Sequence, residues 1–484
     1  MSPTAEVADD SRTTSSRWTA LAVLCAGMLM IILDGTIVSV ALPAIEADLG
    51  FTPAGLAWTV NAYLVPLGGL LLLSGRLGDL YGRRRMLLTG LTLFVGASLL
   101  CGLATGAAML VVARFVQGTA AAMASAVVLG MVVALFPERV ERAKAMGVYA
   151  FVGAAGASIG LVLGGVLTAT VGWRWIFLVN VPIGVAAITL TLRAVAADRP
   201  QGREARPDVI GGALVTAGLV LGVFTIVTTA EPPVRGGVGL LAVALLAAFV
   251  VRQRRAAEPL VRLSIFRSRA VSGGNAVQLL TVAGMLGFQF VMALYLQQAL
   301  GYTSAATGFA VLPVSVVIAL VSLALSGRLI AKAGARRVLL VGELLLVGGL
   351  LLLAREPAGH YAQDVLPSVL LLGLGAGLVL PALTTITMSD ATPEDSGLAS
   401  GLANTSQQIG GALGTAVLAA VAAARSEAAA ATGAAARDAL VSGFHLAFVV
   451  GAGFMTVGAL LLATMLRRRD VERISADEAV TVPA

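Results

Sequence analysis

Histidine and cysteine are almost missing from this chain, which has two of each: His360, His445, Cys25 and Cys101. Two distant histidines give no material for a histidine-based metal centre. Both cysteines fall inside apolar runs, which argues against a structural disulfide or a thiolate metal site. Charge is scarce as well, at 12% of 484 residues. A Gly-Lys dipeptide occurs nowhere, so there is no P-loop and no sign of ATP hydrolysis. Energy for uphill work must then come from an ion gradient or from the substrate's own gradient. Gly156-Ala157-Ser158-Ile159-Gly160 fits a GxSxG pattern, but it lies within an apolar run and not at a strand-to-helix turn. No catalytic constellation survives, and the expectation is a protein that is not an enzyme and holds no cofactor.

Apolar residues fill the space that charge leaves. They make up 58% of the chain, and the mean hydropathy is +0.93. No soluble domain of this length could hide so much apolar surface, so the class is a polytopic all-α membrane protein. Apolar runs extend from 18–42 to 442–466 and number about fourteen at ~20 residues per span, with 237–251 the shortest. The run at 18–42 is too long for a signal-peptide core and reads as a retained first helix. Residues 1–17 are polar and read as a disordered cytoplasmic tail.

The net charge is +7, yet the basic residues follow topology and do not form a nucleic-acid patch. With the N-terminus inside, 27 of the 33 Lys and Arg residues fall in inner segments, 5 in outer segments, and Arg114 lies within a span. This bias places both termini in the cytoplasm and calls for an even number of helices.

One basic segment occurs twice. Ser74 to Gly90 and Ser326 to Gly342 share 10 of 17 positions without a gap, at an offset of 252 residues. Six spans with their loops need only about 200 residues, at ~20 residues per span. The excess matches one helix pair inserted at roughly 208–254. The domain reading is therefore a tail at 1–17, a six-helix bundle at 18–194, a linker with two extra helices at 195–271, a second bundle at 272–466, and a tail at 467–484.

Four segments carry a family resemblance. Leu33-Asp34-Gly35-Thr36-Ile37-Val38-Ser39-Val40-Ala41-Leu42-Pro43 ends the first span. Gly75-Arg76-Leu77-Gly78-Asp79-Leu80-Tyr81-Gly82-Arg83-Arg84-Arg85 follows the second. Arg114-Phe115-Val116-Gln117-Gly118 lies in the fourth, and Gly172-Trp173-Arg174-Trp175-Ile176-Phe177-Leu178-Val179-Asn180-Val181-Pro182-Ile183-Gly184 joins the fifth and sixth. In this order the chain resembles the fourteen-helix drug:proton antiporter branch of the major facilitator superfamily, across about residues 18–466. The resemblance implies two six-helix bundles plus two central helices, and alternating access around a midplane cavity. It implies a monomer in the plasma membrane that exports amphipathic antibiotics, dyes or lipophilic cations in exchange for protons. It also departs from the branch pattern. Ser39 stands where Asn is usual, Leu161 where a helix-kinking proline is usual, and Ala331 stands opposite Asp79 in the second copy.

Asp34 is the leading candidate for chemistry. A carboxylate deep in an apolar helix costs ~2.5–3.5 kcal/mol on insertion scales and needs a reason to persist. By helical rise Asp34 lies ~24 Å from the inner face and Arg114 ~10 Å below the outer face, which brings them to similar height in a ~30 Å core. Together they form the expected proton-coupling pair, with a static ion pair as the alternative. Gly75, Asp79, Gly82, Arg83 and Arg84 form the expected gating loop, although positive-inside anchoring also explains the arginines. Gly156, Gly160, Gly164 and Gly165 offer small-residue packing or gating surfaces on the fifth span, as Gly410 and Gly414 do on its counterpart. Asn61, Tyr63, Gln117, Gln289 and Glu343 are candidate cavity residues, and snorkelling toward Arg336 and Arg337 is the competing reading for Glu343. Two further function readings stay open: a narrow exporter of one endogenous metabolite, and a non-transporting receptor or scaffold on the same fold.

Overall fold

The computed structural model describes residues 3–52, 55–195, 207–228, 231–355, 360–388 and 396–465. The expected C-terminal tail at 467–484 lies outside the described residues. Every described regular element is helical. A bilayer offers no water to backbone groups, so a spanning segment must satisfy its own N–H and C=O groups, as a helix does.

The first bundle holds α1 (Pro3–Ile37), α2 (Trp58–Tyr81), α3 (Arg83–Gly102), α4 (Ala107–Leu135), α5 (Arg139–Thr170) and α6 (Asn180–Ala194). The insert is α7 (Val209–Val227) and α8 (Pro232–Arg255). The second bundle holds α9 (Arg269–Leu294), α10 (Ser304–Leu320), α11 (Ala335–Leu353), α12 (Leu366–Met388), α13 (Ser396–Ala431) and α14 (Ala436–Met465). Thirteen described helices are long and apolar enough to cross a membrane. The sequence expectation of fourteen differs by α11, whose 19 residues include Arg336, Arg337 and Glu343.

One expectation fails at the N-terminus. Residues 3–16 continue α1 as helix and are not an irregular tail, because extending a formed helix adds one hydrogen bond per residue fixed. At its other end α1 stops at Ile37 and gives way to a 3₁₀ turn, Val38–Val40, just before Pro43 opens a short helix.

The two basic copies fold alike. Gly82 ends α2 with φ 100°, and Gly334 sits before α11 with φ 82°. Only glycine adopts this conformation without strain, which explains its presence in both copies. Each copy also brings a helix pair together through a second glycine. A Cβ at Gly90 would lie 2.7 Å from Ala124 N on α4, and one at Gly342 would lie 3.0 Å from Gly375 O on α12.

The halves meet along two crossings, α2 with α13 and α5 with α10. The insert packs on this seam: α7 touches α2 and α13, while α8 packs mainly on α7. Only 6% of the apolar window of α8 is buried, so this helix presents nearly its whole surface outward. Asp208 pins the hairpin at its base. It caps α7 by accepting from Gly211 N at 2.9 Å, and it accepts from Gln253 Nε2 at 2.8 Å and from Arg252. Burial by itself would raise this carboxyl, but those donors outweigh it and hold it below its ordinary value.

Candidate functional site

The site begins with a carboxylate fully enclosed by protein. Asp34, Arg114 and Gln117 have 0% exposure, as does Asn180. Arg114 Nη1 donates to Asp34 Oδ2 at 2.6 Å, while Gln117 Nε2 and Asn180 Nδ2 each donate to Asp34 Oδ1 at 2.8 Å. Arg114 Nη1 also donates to Gln117 Oε1 at 2.8 Å, and Arg114 Nε to the Thr59 carbonyl at 2.9 Å. Gln117 Nε2 reaches Ser98 Oγ on α3 at 2.8 Å. One charge pair thereby ties α1, α2, α3, α4 and α6 together. Such a pair offsets its desolvation through these surrounding hydrogen bonds, although Arg114 Nη2 and Asn180 Oδ1 find no hydrogen-bond partner among the described residues.

Aromatic faces complete the shell. The Arg114 guanidinium carbon lies 4.3 Å from the centre of the Tyr63 ring and 5.6 Å from that of Phe177. Tyr63 donates its hydroxyl to the Ile31 carbonyl at 3.1 Å. A Cβ at Gly118 would lie 2.2 Å from Tyr63 O, so glycine at the end of Arg114-Phe115-Val116-Gln117-Gly118 lets α4 seat against α2.

A cavity of about 900 Å³ lies between the bundles, and Tyr63 forms part of its wall. It runs from Ser39, past Gly35 and Tyr63, down to Arg76, Asp79 and Arg83, and so opens on the side of the basic loops. The opposite end is closed by contacts between halves. Gln297 Nε2 donates to Val40 O at 3.0 Å, and Gln298 Nε2 to Glu46 Oε2 at 2.8 Å. Above them Arg437 Nε donates to Ala299 O at 3.0 Å within the second half. Glu46 lies outside the span, and its partial burial raises its carboxyl above the ordinary value, with the Gln298 bond pulling the other way.

The structure sorts the expected residues. Asp34 and Arg114 are in direct contact. Gly75, Asp79 and Arg83 line the cavity mouth. Asp79 accepts from Arg83 Nη2 at 2.9 Å, and Arg83 Nη1 reaches Gly130 O on α4 at 3.1 Å. Arg84 turns away and donates to Leu192 O at 2.8 Å. Tyr63 and Gln289 line the cavity. Three cavity expectations are corrected. Gln117 belongs to the buried Asp34 cluster. Asn61 is buried in α2, with neither amide atom hydrogen-bonded among the described residues. Glu343 neither lines the cavity nor snorkels: it is fully buried in the second bundle, where its Oε1 meets the Thr281 hydroxyl of α9. A short apolar helix keeps that side chain inside, since α9 offers a hydroxyl closer than the loop arginines.

The α5 glycines split between two partners. A Cβ at Gly160 would lie 2.1 Å from Thr36 Oγ1, and one at Gly164 2.5 Å from Ile37 O, while Gly156 would meet Leu29 at 2.9 Å. These three form a groove for α1. Gly165 faces the other half, where a Cβ would lie 2.5 Å from Ser304 O of α10. At the same crossing, a Cβ on Gly308 would lie 2.6 Å from Leu161 O.

Sequence reasoning missed Asn180, Gln298 and the outer latch. Asn180 was visible as part of the segment that starts at Gly172, but nothing in its spacing pointed to Asp34. In the same segment Arg174 Nη1 and Trp173 Nε1 donate to Asp48 Oδ2 at 2.6 and 3.1 Å. The Arg174 bond, then the Trp173 bond, hold the exposed Asp48 carboxyl below its ordinary value.

Known proteins share this architecture. The chain is 36% identical to puromycin resistance protein pur8 of Streptomyces alboniger, over 93% of this chain and 90% of that protein. It is 38% identical to cephamycin export protein CmcT of Amycolatopsis lactamdurans, over 84% and 85%. Among solved structures, a bacterial homolog of the human lysosomal transporter Spinster, inward-facing and unoccupied, superimposes with TM-score 0.66. That match is 16% identical and covers 95% of this chain and 98% of that one. A family model matches residues 24–415, and by that match the chain belongs to the Major Facilitator Superfamily.

Proposed function

We propose that this protein exports amphipathic small molecules, antibiotics among them, from the cytoplasm across the plasma membrane in exchange for protons. Both termini are cytoplasmic, all fourteen helices span, and the working unit is a monomer. The observation that carries this reading is the juxtaposition of a fully buried Asp34–Arg114 pair and a drug-sized cavity, with Tyr63 as the shared wall. Resistance and export proteins among the relatives supply the direction.

The cycle follows from charge. With Asp34 ionised, Arg114, Gln117 and Asn180 hold α1, α4 and α6 in one packing. A proton on Asp34 removes the ion pair, leaves Arg114 uncompensated, and favours a different packing of the first bundle. The Leu33–Ile37 turn of α1 lies in the α5 glycine groove, and α5 crosses α10. A shift of that turn therefore bears directly on the seam between halves. Substrate in the cavity presses on Tyr63, whose ring backs the Arg114 guanidinium.

The test is drug-induced proton release in inverted vesicles under an imposed pH gradient. Native protein is expected to release protons when a transported compound is added, and Asp34→Asn to release none. Equal release from both proteins would remove Asp34 from coupling. Uphill drug uptake with no proton movement in either would remove antiport.

A further inference from the structure

We infer that the cavity selects uncharged aromatic molecules bearing several carbonyl or hydroxyl groups, and that it discriminates against lipophilic cations. The inference rests on the export reading and narrows it.

The two walls differ in chemistry. Ile31, Ile32, Leu64, Leu67 and Leu71 make the first bundle's side mainly aliphatic. Gln289 on α9 and Asn404, Gln407 and Gln408 on α13 place every lining carboxamide on the second bundle's side. A carboxamide both donates and accepts, so this wall matches carbonyls and hydroxyls without demanding a charge. Tyr149 adds a partly exposed ring, and Tyr63 and Phe290, almost fully buried, back the lining with aromatic faces.

Charge of either sign has no counterpart at depth. Asp79 is the one acid lining the cavity among the described residues, and it sits at the mouth bonded to Arg83. Asp34 and Glu343 have no exposed surface. Arg114, the deep cation, is equally enclosed and committed to Asp34. At the mouth Arg76 pairs with Glu258 of the linker after α8, so neither rim arginine adds a free attraction. Passage through an occluded state strips water from the cargo, and an unpaired charge in an apolar enclosure is then strongly disfavoured. A neutral ring with polar edges avoids that cost and still satisfies the amides.

The decisive experiment compares one ring at three charges: a hydroxyanthraquinone, its sulfonate and its trimethylammonium derivative. Equilibrium binding is measured on the purified full chain in lipid nanodiscs, and uptake in inverted vesicles. The neutral ring is expected to bind about tenfold tighter than either ion. Gln289→Glu is expected to invert the order in favour of the cation, a gain that misfolding cannot produce. Equal or tighter cation binding by the native protein overturns the inference, as does failure of any ring to bind, or a Gln289→Glu variant that keeps the native order. Cation-selective uptake would leave export standing and sink the selectivity. Neutral-selective binding with no uptake would do the reverse.

Discussion

At the scale of single residues, the Asp34–Arg114 pair decides both stability and coupling. Removing one partner strands the other as a buried charge. Arg114→Ala is therefore expected to lower the unfolding free energy by about 3–5 kcal/mol. Adding Asp34→Asn to that variant should recover part of the loss, because the stranded charge goes. Thermal unfolding of the native protein, the single variant and the double variant in detergent checks this. A double variant no more stable than Arg114→Ala alone would show that the two groups are not energetically paired. The pairing itself was legible, since helical rise from each membrane face puts both residues at one height. The rest of the cluster was not. Gln117 lies one helical turn beyond Arg114, and its height fits both the cavity and the cluster. The rotation of α4 made the choice.

At the scale of elements, glycine spacing was readable but the identity of the facing helix was not. Gly156, Gly160 and Gly164 lie on one stripe and receive α1, while Gly165, next in sequence, meets α10 across the seam. A one-residue step turns about 100° around the helix, enough to move from an interface within a bundle to one between bundles. Gly165→Leu is expected to wedge the α5–α10 crossing open while leaving the α1–α5 groove filled. Nitroxide distances between Ala47 and Ala435, in segments flanking the closed gate, should lengthen relative to the native protein. An unchanged distance distribution would mean that Gly165 is mere packing. The insert follows the same logic. Its existence came from counting residues against the repeat, whereas its seat on the α2–α13 seam came from packing.

At the scale of the whole molecule, the structure is caught open toward the basic loops and shut at the other end. Glu46 bears on that balance. Partial burial in the closed gate raises its proton affinity above that of a solvated glutamate, which titrates near ~4.3. The closed state therefore gains stability from the proton below that ordinary value and loses it as pH rises through the raised one. Acid should hold the gate shut, and rising pH should loosen it. Distances between the same nitroxides, followed across that window, are expected to lengthen with pH in the native background and to stay short in Glu46→Gln. A native gate indifferent to pH would remove Glu46 as a determinant.

The amino-acid sequence alone determined that this is a membrane protein of two repeated halves. Hydropathy marks the segments that prefer lipid, and the recurring basic segment, with a glycine at Gly82 and again at Gly334, fixes where each half turns. It also determined the depth of Asp34 and Arg114, because rise per residue is constant. Only the tertiary structure decided which way each side chain points about its helix axis. Lipid-facing and core-facing positions are both apolar in these spans, so the pattern that reveals rotation in a soluble helix is largely erased. Asn180, Gln297 and the enclosed position of Glu343 all depend on rotation, and packing alone supplied it.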